Sequence, residues 1–322
     1  MVVRYVAAHH ERLGLGRLGV PPRPTCLVLT PRYARSRHVI VLVLATDGRP
    51  ALVGKVPRLA GDGDGLDREA RGLLAAGRAL SGVDAASTPT LVALDRHHVR
   101  PMLLETALAG QPLSPAAVRR DRAGAVALVG GWLGRLATAT AVVPGDDAWY
   151  ERLVGQPLAA LAVRPEAGSA VRAMAVRTLA IAAVLRTARL PLVLVHGDLG
   201  HPNVLSRPDG GLAVLDWERS DPAGLPGEDL CFFCAYAASA GRGAGAVRGA
   251  FCGPSPWVAQ ALQRHAAGLG IDPALLVPLV AVSAARSVAQ GAPAAHVELW
   301  RAALDQIVPT SAPRRSTTEA RA

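Results

Sequence analysis

The texture of the chain changes once, near residue 112, and that change limits the fold more than any single residue does. Before it, short β-rich runs at 26–30, 39–45, 51–56, 90–94 and 99–105 read as strands, and Asp47-Gly48-Arg49-Pro50 reads as the turn between the second and third. One helical face intervenes at 66–80, carried by Leu66, Ala70, Leu73, Leu74 and Gly77. The pattern is an antiparallel sheet with a single helix inserted after its third strand. After residue 112 come long alanine- and leucine-rich stretches at 114–142, 148–163, 168–189, 227–240, 244–265, 272–289 and 294–308, which read as helices. The expected division is a small β-rich lobe over 1–106, a helical lobe over 107–308 and a polar, disordered tail over 309–322.

One break interrupts the helical half. Short aliphatic strands at 192–195 and 212–215 flank the segment His196-Gly197-Asp198-Leu199-Gly200-His201-Pro202-Asn203, and the second strand ends in Asp216-Trp217-Glu218. Asn203 is the only asparagine in the chain, and Lys55 the only lysine against 34 arginines. A chain that has lost both residue types everywhere else keeps one of each where neighbours cannot substitute. An amide can offer oxygen to a metal, and an ammonium is a compact charge that the planar guanidinium does not reproduce. Asn203 and Asp216 are the oxygen ligands a Mg²⁺ ion wants, which leaves Asp198 to orient or deprotonate a hydroxyl. A turn rich in capping residues would account for Asp216 alone but not for the whole set.

The charge of +10 is spread along the chain with no clustered basic run and no interleaved aromatics, so nucleic acid is not the expected partner. Cys231 and Cys234 have C-x-x-C spacing but apolar neighbours and no second pair, which reads as buried helical cysteines. The N-terminus lacks the apolar run of a signal peptide, and the longest aliphatic run, 39–45, is too short to cross a bilayer. A cytoplasmic protein with no membrane partner and no obligate protein partner is the expectation.

The motif His-Gly-Asp-x-x-x-x-Asn followed by Leu-Asp-Trp resembles the aminoglycoside phosphotransferase and choline kinase branch of the protein-kinase-like superfamily. The resemblance implies an α+β, two-lobe fold and covers about residues 20–308. By it, Asp198 is the catalytic aspartate, Asn203 and Asp216 hold Mg²⁺, and His196 and Asp229 support the loop. Lys55 contacts the nucleotide phosphates and pairs with Glu69 on the lone small-lobe helix, with Asp67 the competing candidate. The segment 102–107 resembles the hinge that receives the base, with Glu105 and Ala107 as its nucleotide-binding positions. The hairpin loop 30–37, which carries Ser36, should lie over the phosphates, but it contains no glycine and so departs from the family pattern.

The resemblance implies an enzyme that moves the γ-phosphate of ATP or GTP to a hydroxyl of a small molecule. Aminoglycosides, macrolides, choline, homoserine and sugars are acceptors in that family, and the basic excess argues against a polycationic one. Two other readings stand beside it: a catalytically weak kinase-fold binding or scaffold protein, and a kinase acting on a peptide Ser or Thr.

Overall fold

A computed structural model describes residues 1–29, 38–59, 63–96 and 100–306. The amino-terminal half holds strands β1 (Cys26–Leu29), β2 (His38–Leu44), β3 (Pro50–Pro57), β4 (Leu91–Asp95) and β5 (Met102–Thr106), paired antiparallel in the order β1-β2-β3-β5-β4. Helix α2 (Asp64–Ala79) is inserted after β3, as the pattern implies. A second helix, α1 (Val2–Ala8), has no counterpart in the expectation; its seven residues are too few for a periodic signal.

The two helices cover opposite faces of the sheet, and strand alternation decides what each receives. On one face Val41, Val43, Leu52, Met102 and Leu104 pack with Val2, Tyr5 and Val6 of α1. Gly54 lies on that face too, where an added Cβ would come within 2.8 Å of Val2. Its neighbour Lys55 therefore points to the other face, where Leu103 packs against Leu66 and Ala70 of α2. By the same alternation Glu105 follows Leu103 onto the α2 face. The register sets Lys55 opposite Leu103 and Val53 opposite Glu105.

The helical half contains α3 (Pro115–Arg120), α4 (Arg122–Thr140), α5 (Ala148–Tyr150), α6 (Gln156–Val163), α7 (Gly168–Ala182), α8 (Glu228–Ser239), α9 (Ala246–Cys252), α10 (Trp257–Gly268), α11 (Leu276–Ala289) and α12 (Ala294–Asp305). Two stretches read as continuous are broken. Asp121 separates α3 from α4 because its carboxylate accepts the Gly124 N–H at 2.8 Å and so caps a new helix. Gly253-Pro254-Ser255-Pro256 separates α9 from α10, since neither proline can donate within a helix. The core of this half is centred on Trp132, Trp217, Phe233 and Trp300, all fully buried. Each indole N–H is satisfied: Trp132 donates to Ser87 Oγ, Trp217 to Val214 O and Trp300 to Thr178 Oγ1. A chain poor in aromatics thus places its largest rings where their burial contributes most.

Strands β6 (Gln111–Pro112), β8 (Val204–Ser206) and β9 (Leu212–Val214) form one small sheet, and β7 (Val193–Val195) pairs with β10 (Asp221–Gly224). β6, β8 and β10 were not expected as strands; at two to four residues they carry no alternation to read. Together these ribbons hold the loop 196–203 and the segment 215–220. The four cysteines are free thiols, with Cys231 and Cys234 buried on α8 as expected. One helical run, Pro165–Thr187, is long and apolar enough to cross a membrane by length and composition, unlike the run at 39–45; here it packs through Ala175, Thr178 and Ala182 and leaves Val176 and Val184 exposed.

Candidate active site

The site begins with a single buried cation. Lys55 is 5 % exposed, and its ammonium meets Glu69 of α2 in a short ion pair. Glu69 has no exposed surface, and its Oε1 also accepts the Trp217 N–H at 3.1 Å. Asp67 turns away from this cluster and pairs with Arg96 at 2.6 Å, so the helix face that buries Leu66 and Ala70 gives Lys55 to Glu69. Asp216 Oδ1 lies 3.3 Å from the same nitrogen and Glu105 Oε1 3.4 Å. One cation is therefore shared by three carboxylates.

That crowding fixes the electrostatics. Burial alone would lower the Lys55 pKa, but Glu105, Glu69 and Asp216 together hold it well above its usual value. Burial pushes Glu105 up to about 7 despite Lys55, and raises Glu69 likewise. Asp216 goes the other way: burial opposes ionisation, yet the Lys55 charge leaves its carboxyl below the usual range. Asp216 also has φ of +66°, a left-handed backbone that costs a non-glycine residue about 1 kcal/mol. The bend lets the next residue, Trp217, present its N–H to Glu69.

The loop 196–203 is held by backbone bonds instead. Asp229, at the start of α8, accepts the His196 N–H on Oδ2 at 2.7 Å and the Gly197 N–H on Oδ1 at 2.8 Å. Burial raises the Asp229 pKa to about 7, although both N–H bonds favour its ionised form. His196 is fully buried; the Asp198 N–H donates to its Nδ1 at 3.2 Å, so Nε2 carries the proton and donates to Leu215 O at 2.8 Å. This neutral ring is the stable form, because burial pushes its pKa down to about 4. Gly197 has φ of +83°, and a Cβ there would strike Arg219 O at 2.5 Å, so only glycine fits.

Within this frame Asp198 is the partly open carboxylate, 37 % exposed at the side chain. Burial raises its pKa and Arg219, whose Nε is 4.0 Å from Oδ2, opposes the rise. Asn203 Nδ2 donates to Asp198 O at 3.0 Å, which ties the amide nitrogen to the loop and frees the amide oxygen for another partner. Asp216 uses one carboxylate oxygen on Lys55 and keeps the other. A free amide oxygen and a free carboxylate oxygen suit a hard cation that takes its remaining ligands from phosphate and water, so this donor set fits Mg²⁺. Among the described residues no group of three or more His, Cys, Asp or Glu side chains forms a metal cage.

The structure thus brings Lys55, Glu69, Glu105 and Asp216 into contact, and His196, Asp198, Asn203 and Asp229 into one loop system. The Ala107 N–H donates to Ala51 O at 2.9 Å, which leaves its carbonyl as the group available to a base. Ser36 and the loop 30–37 lie outside the described residues. Two features escaped the sequence reading. Arg219 beside Asp198 could have been found only by counting three residues on from Asp216. The turn of the Glu105 side chain towards Lys55 follows from strand alternation once Leu103 is placed. A groove of about 670 Å³ between α4 and α10 includes no residue of this site.

Comparison with solved structures returns the same architecture. The choline kinase LicA of Streptococcus pneumoniae superposes with a TM-score of 0.57 at 13 % identity, covering 92 % of this chain and 98 % of that one. The ethanolamine kinase of Plasmodium vivax gives 0.54 at 13 %, covering 95 % and 85 %. A thermostable mutant of the aminoglycoside phosphotransferase APH(4)-Ia, in a ternary complex with ADP and hygromycin B, gives 0.51 at 15 %, covering 92 % and 96 %. At these identities the likeness is one of fold. No curated protein sequence matches the chain. Residues 39–264, well over half of the sequence and including Lys55, Asp198, Asn203 and Asp216, match the model of the phosphotransferase enzyme family, and the chain belongs to that family.

Proposed function

We propose that the protein transfers the γ-phosphoryl group of ATP or GTP to a hydroxyl of a small molecule. The observation that carries this reading is the meeting of Lys55 and Asp216 at 3.3 Å, with the open carboxylate of Asp198 on the adjoining loop. Phosphoryl transfer asks a protein for positioning and charge compensation more than for covalent chemistry. Lys55 would take the nucleotide phosphates from the small-lobe side, steered by Glu69. Asn203 and Asp216 would hold Mg²⁺, whose charge would offset that of the phosphates when it is bound. Asp198 orients the acceptor hydroxyl and receives its proton as the new oxygen–phosphorus bond forms, while the bond to the β-phosphate oxygen breaks and releases the nucleoside diphosphate. Arg219 steadies that carboxylate without neutralising it. A cytoplasmic location, which fits four free thiols, is part of the same proposal.

The acceptor is tested by screening hydroxylated metabolites and antibiotics for acceptor-dependent nucleotide consumption with wild type and Asp198→Ala. The expected result is turnover on at least one acceptor that falls by 100-fold or more in the variant, on the order of what a positioned base contributes. Full turnover in Asp198→Ala would overturn the assignment of that residue.

A further inference from the structure

The sequence spreads its arginines along the chain, but the fold gathers four of them. Arg119 and Arg120 end α3, Arg122 opens α4, and Arg242 follows α8. They line two adjoining hollows of about 290 and 350 Å³, which share Arg122 and Arg242. Asp121 is the single carboxylate in either wall, so four guanidiniums face one acid and three positive charges stay uncompensated. Its Oδ1 is already engaged by the Gly124 N–H at 2.8 Å. Elsewhere the guanidiniums of Arg135, Arg152 and Arg286 each meet a carboxylate, whereas among the described residues these four meet none. Two of the four are nevertheless held in place. Arg122 lies over the Trp257 ring at 4.9 Å, and Arg119 fills space that only a glycine at 241 leaves, since a Cβ there would strike its guanidinium.

Helix α8 joins this patch to the loop that carries Asp198. Phe232, Tyr236 and Ala240 follow one another at four-residue spacing along one side of the helix and just past its end. Phe232 packs on the loop, where a Cβ at Gly200 would lie 3.1 Å from its ring. The Tyr236 hydroxyl donates to Leu113 O, shortly before α3, and Ala240 lines the smaller hollow. Eight residues of helix span about 12 Å, the length of a small extended molecule. We propose that the hollow binds an anionic end of the acceptor, so that the acceptor is a hydroxyl compound with a phosphate or carboxylate about 12 Å from the hydroxyl. This inference rests on the phosphotransferase reading and deepens it. Guanidinium forks match the paired oxygens of either anion, and a surplus of like charge in one hollow draws such a group in. A polycationic acceptor would be repelled at the same place.

The test offers the full chain MgATP with ω-hydroxyalkyl phosphates and ω-hydroxyalkanoates of increasing chain length, and with the matching diols, as acceptors. Nucleotide consumption is expected with the anionic members, most where the extended chain spans about 12 Å, and kcat/KM should be at least about tenfold lower for the diols. The double variant R119Q/R242Q, which changes two exposed side chains, should bring the anionic members down to the level of the diols. The double variant R78Q/R189Q removes the same charge from exposed positions outside the hollows and should behave as wild type. Faster turnover of phosphates than of carboxylates at equal length would assign a phosphomonoester, and the reverse order a carboxylic acid. Equal turnover of diols and anions, no turnover of any member, or wild-type turnover in R119Q/R242Q would overturn this inference. So would equal losses in the two double variants. The phosphotransferase reading would survive each of these results as long as MgATP raises the melting temperature of wild type; no response to MgATP would overturn both.

Discussion

The Lys55 cluster and the loop 196–203 serve one site but are held by different physics. The first is a knot of side-chain charges, in which Lys55, Glu69 and Glu105 are nearly enclosed and Asp216 keeps its side chain 40 % exposed. The second is hung from its own backbone: Asp229 takes two N–H groups, His196 a third, and Leu215 O holds the histidine. The contrast suits the tasks proposed for the two parts. A group that must yield to phosphates can be held by charges that rearrange. A carboxylate that must meet a hydroxyl to within a few tenths of an ångström is better fixed by a scaffold that does not.

The sharpest way to break this comparison is to remove the cation. Lys55→Met leaves three carboxylates without a cation, and breaking a buried pair from one side costs about 3–5 kcal/mol. Urea unfolding at neutral pH should show a loss of that order, partly recovered at acid pH where Glu69 and Glu105 take protons. A loss below about 1 kcal/mol would mean that the knot is not what holds the small-lobe wall.

The pH response of the loop comes from one buried histidine. The folded His196 pKa of about 4 lies below its usual 6.5, so its contribution is full above 6.5 and declines as pH falls towards 4, where the unfolded chain binds a proton that the native ring refuses. Between about pH 6.5 and 5 the stability advantage of wild type over His196→Gln should shrink by about 2 kcal/mol. An advantage that stays constant over that range would contradict the buried neutral ring.

The smallest expected effect is the control. Asp67 shares α2 with Glu69, but its pair with Arg96 is exposed, and Asp67→Ala should shift stability by at most about 0.5 kcal/mol and leave activity unchanged. An activity loss comparable to that of Glu69→Ala would mean that the helix offers the wrong carboxylate to Lys55.

Much of this was legible before the structure. The sheet with its inserted helix followed from strand alternation and one amphipathic face, and Glu69 was preferred to Asp67 on the face read from Ala70, Leu73 and Leu74; Ala70 and Leu73 are buried, whereas Leu74 is 45 % exposed and does not belong to it. The loop residues were legible because Asn203 and Lys55 are singletons, a signal this chain's arginine-rich composition makes unusually clear. What was not legible depends on contacts between distant segments. The breaks at Asp121 and at Pro254 come from capping and proline chemistry that alanine-rich periodicity hides, and α1 and the short strands are too brief to show a period. Glu105 was read as a backbone contact to the base, since a hinge leaves little trace in side chains; only pairing of β3 with β5 turns its carboxylate towards Lys55.

The central claim is that Lys55 and Asp216 meet over the phosphates of one nucleotide. Thermal unfolding of wild type and Asp216→Ala in increasing MgATP tests it most directly. The account predicts that the melting temperature of wild type rises with MgATP, by the equivalent of about 2.7 kcal/mol at a hundredfold excess over Kd, and that Asp216→Ala shows no rise. An equal rise in both proteins, or no rise in either, would contradict it.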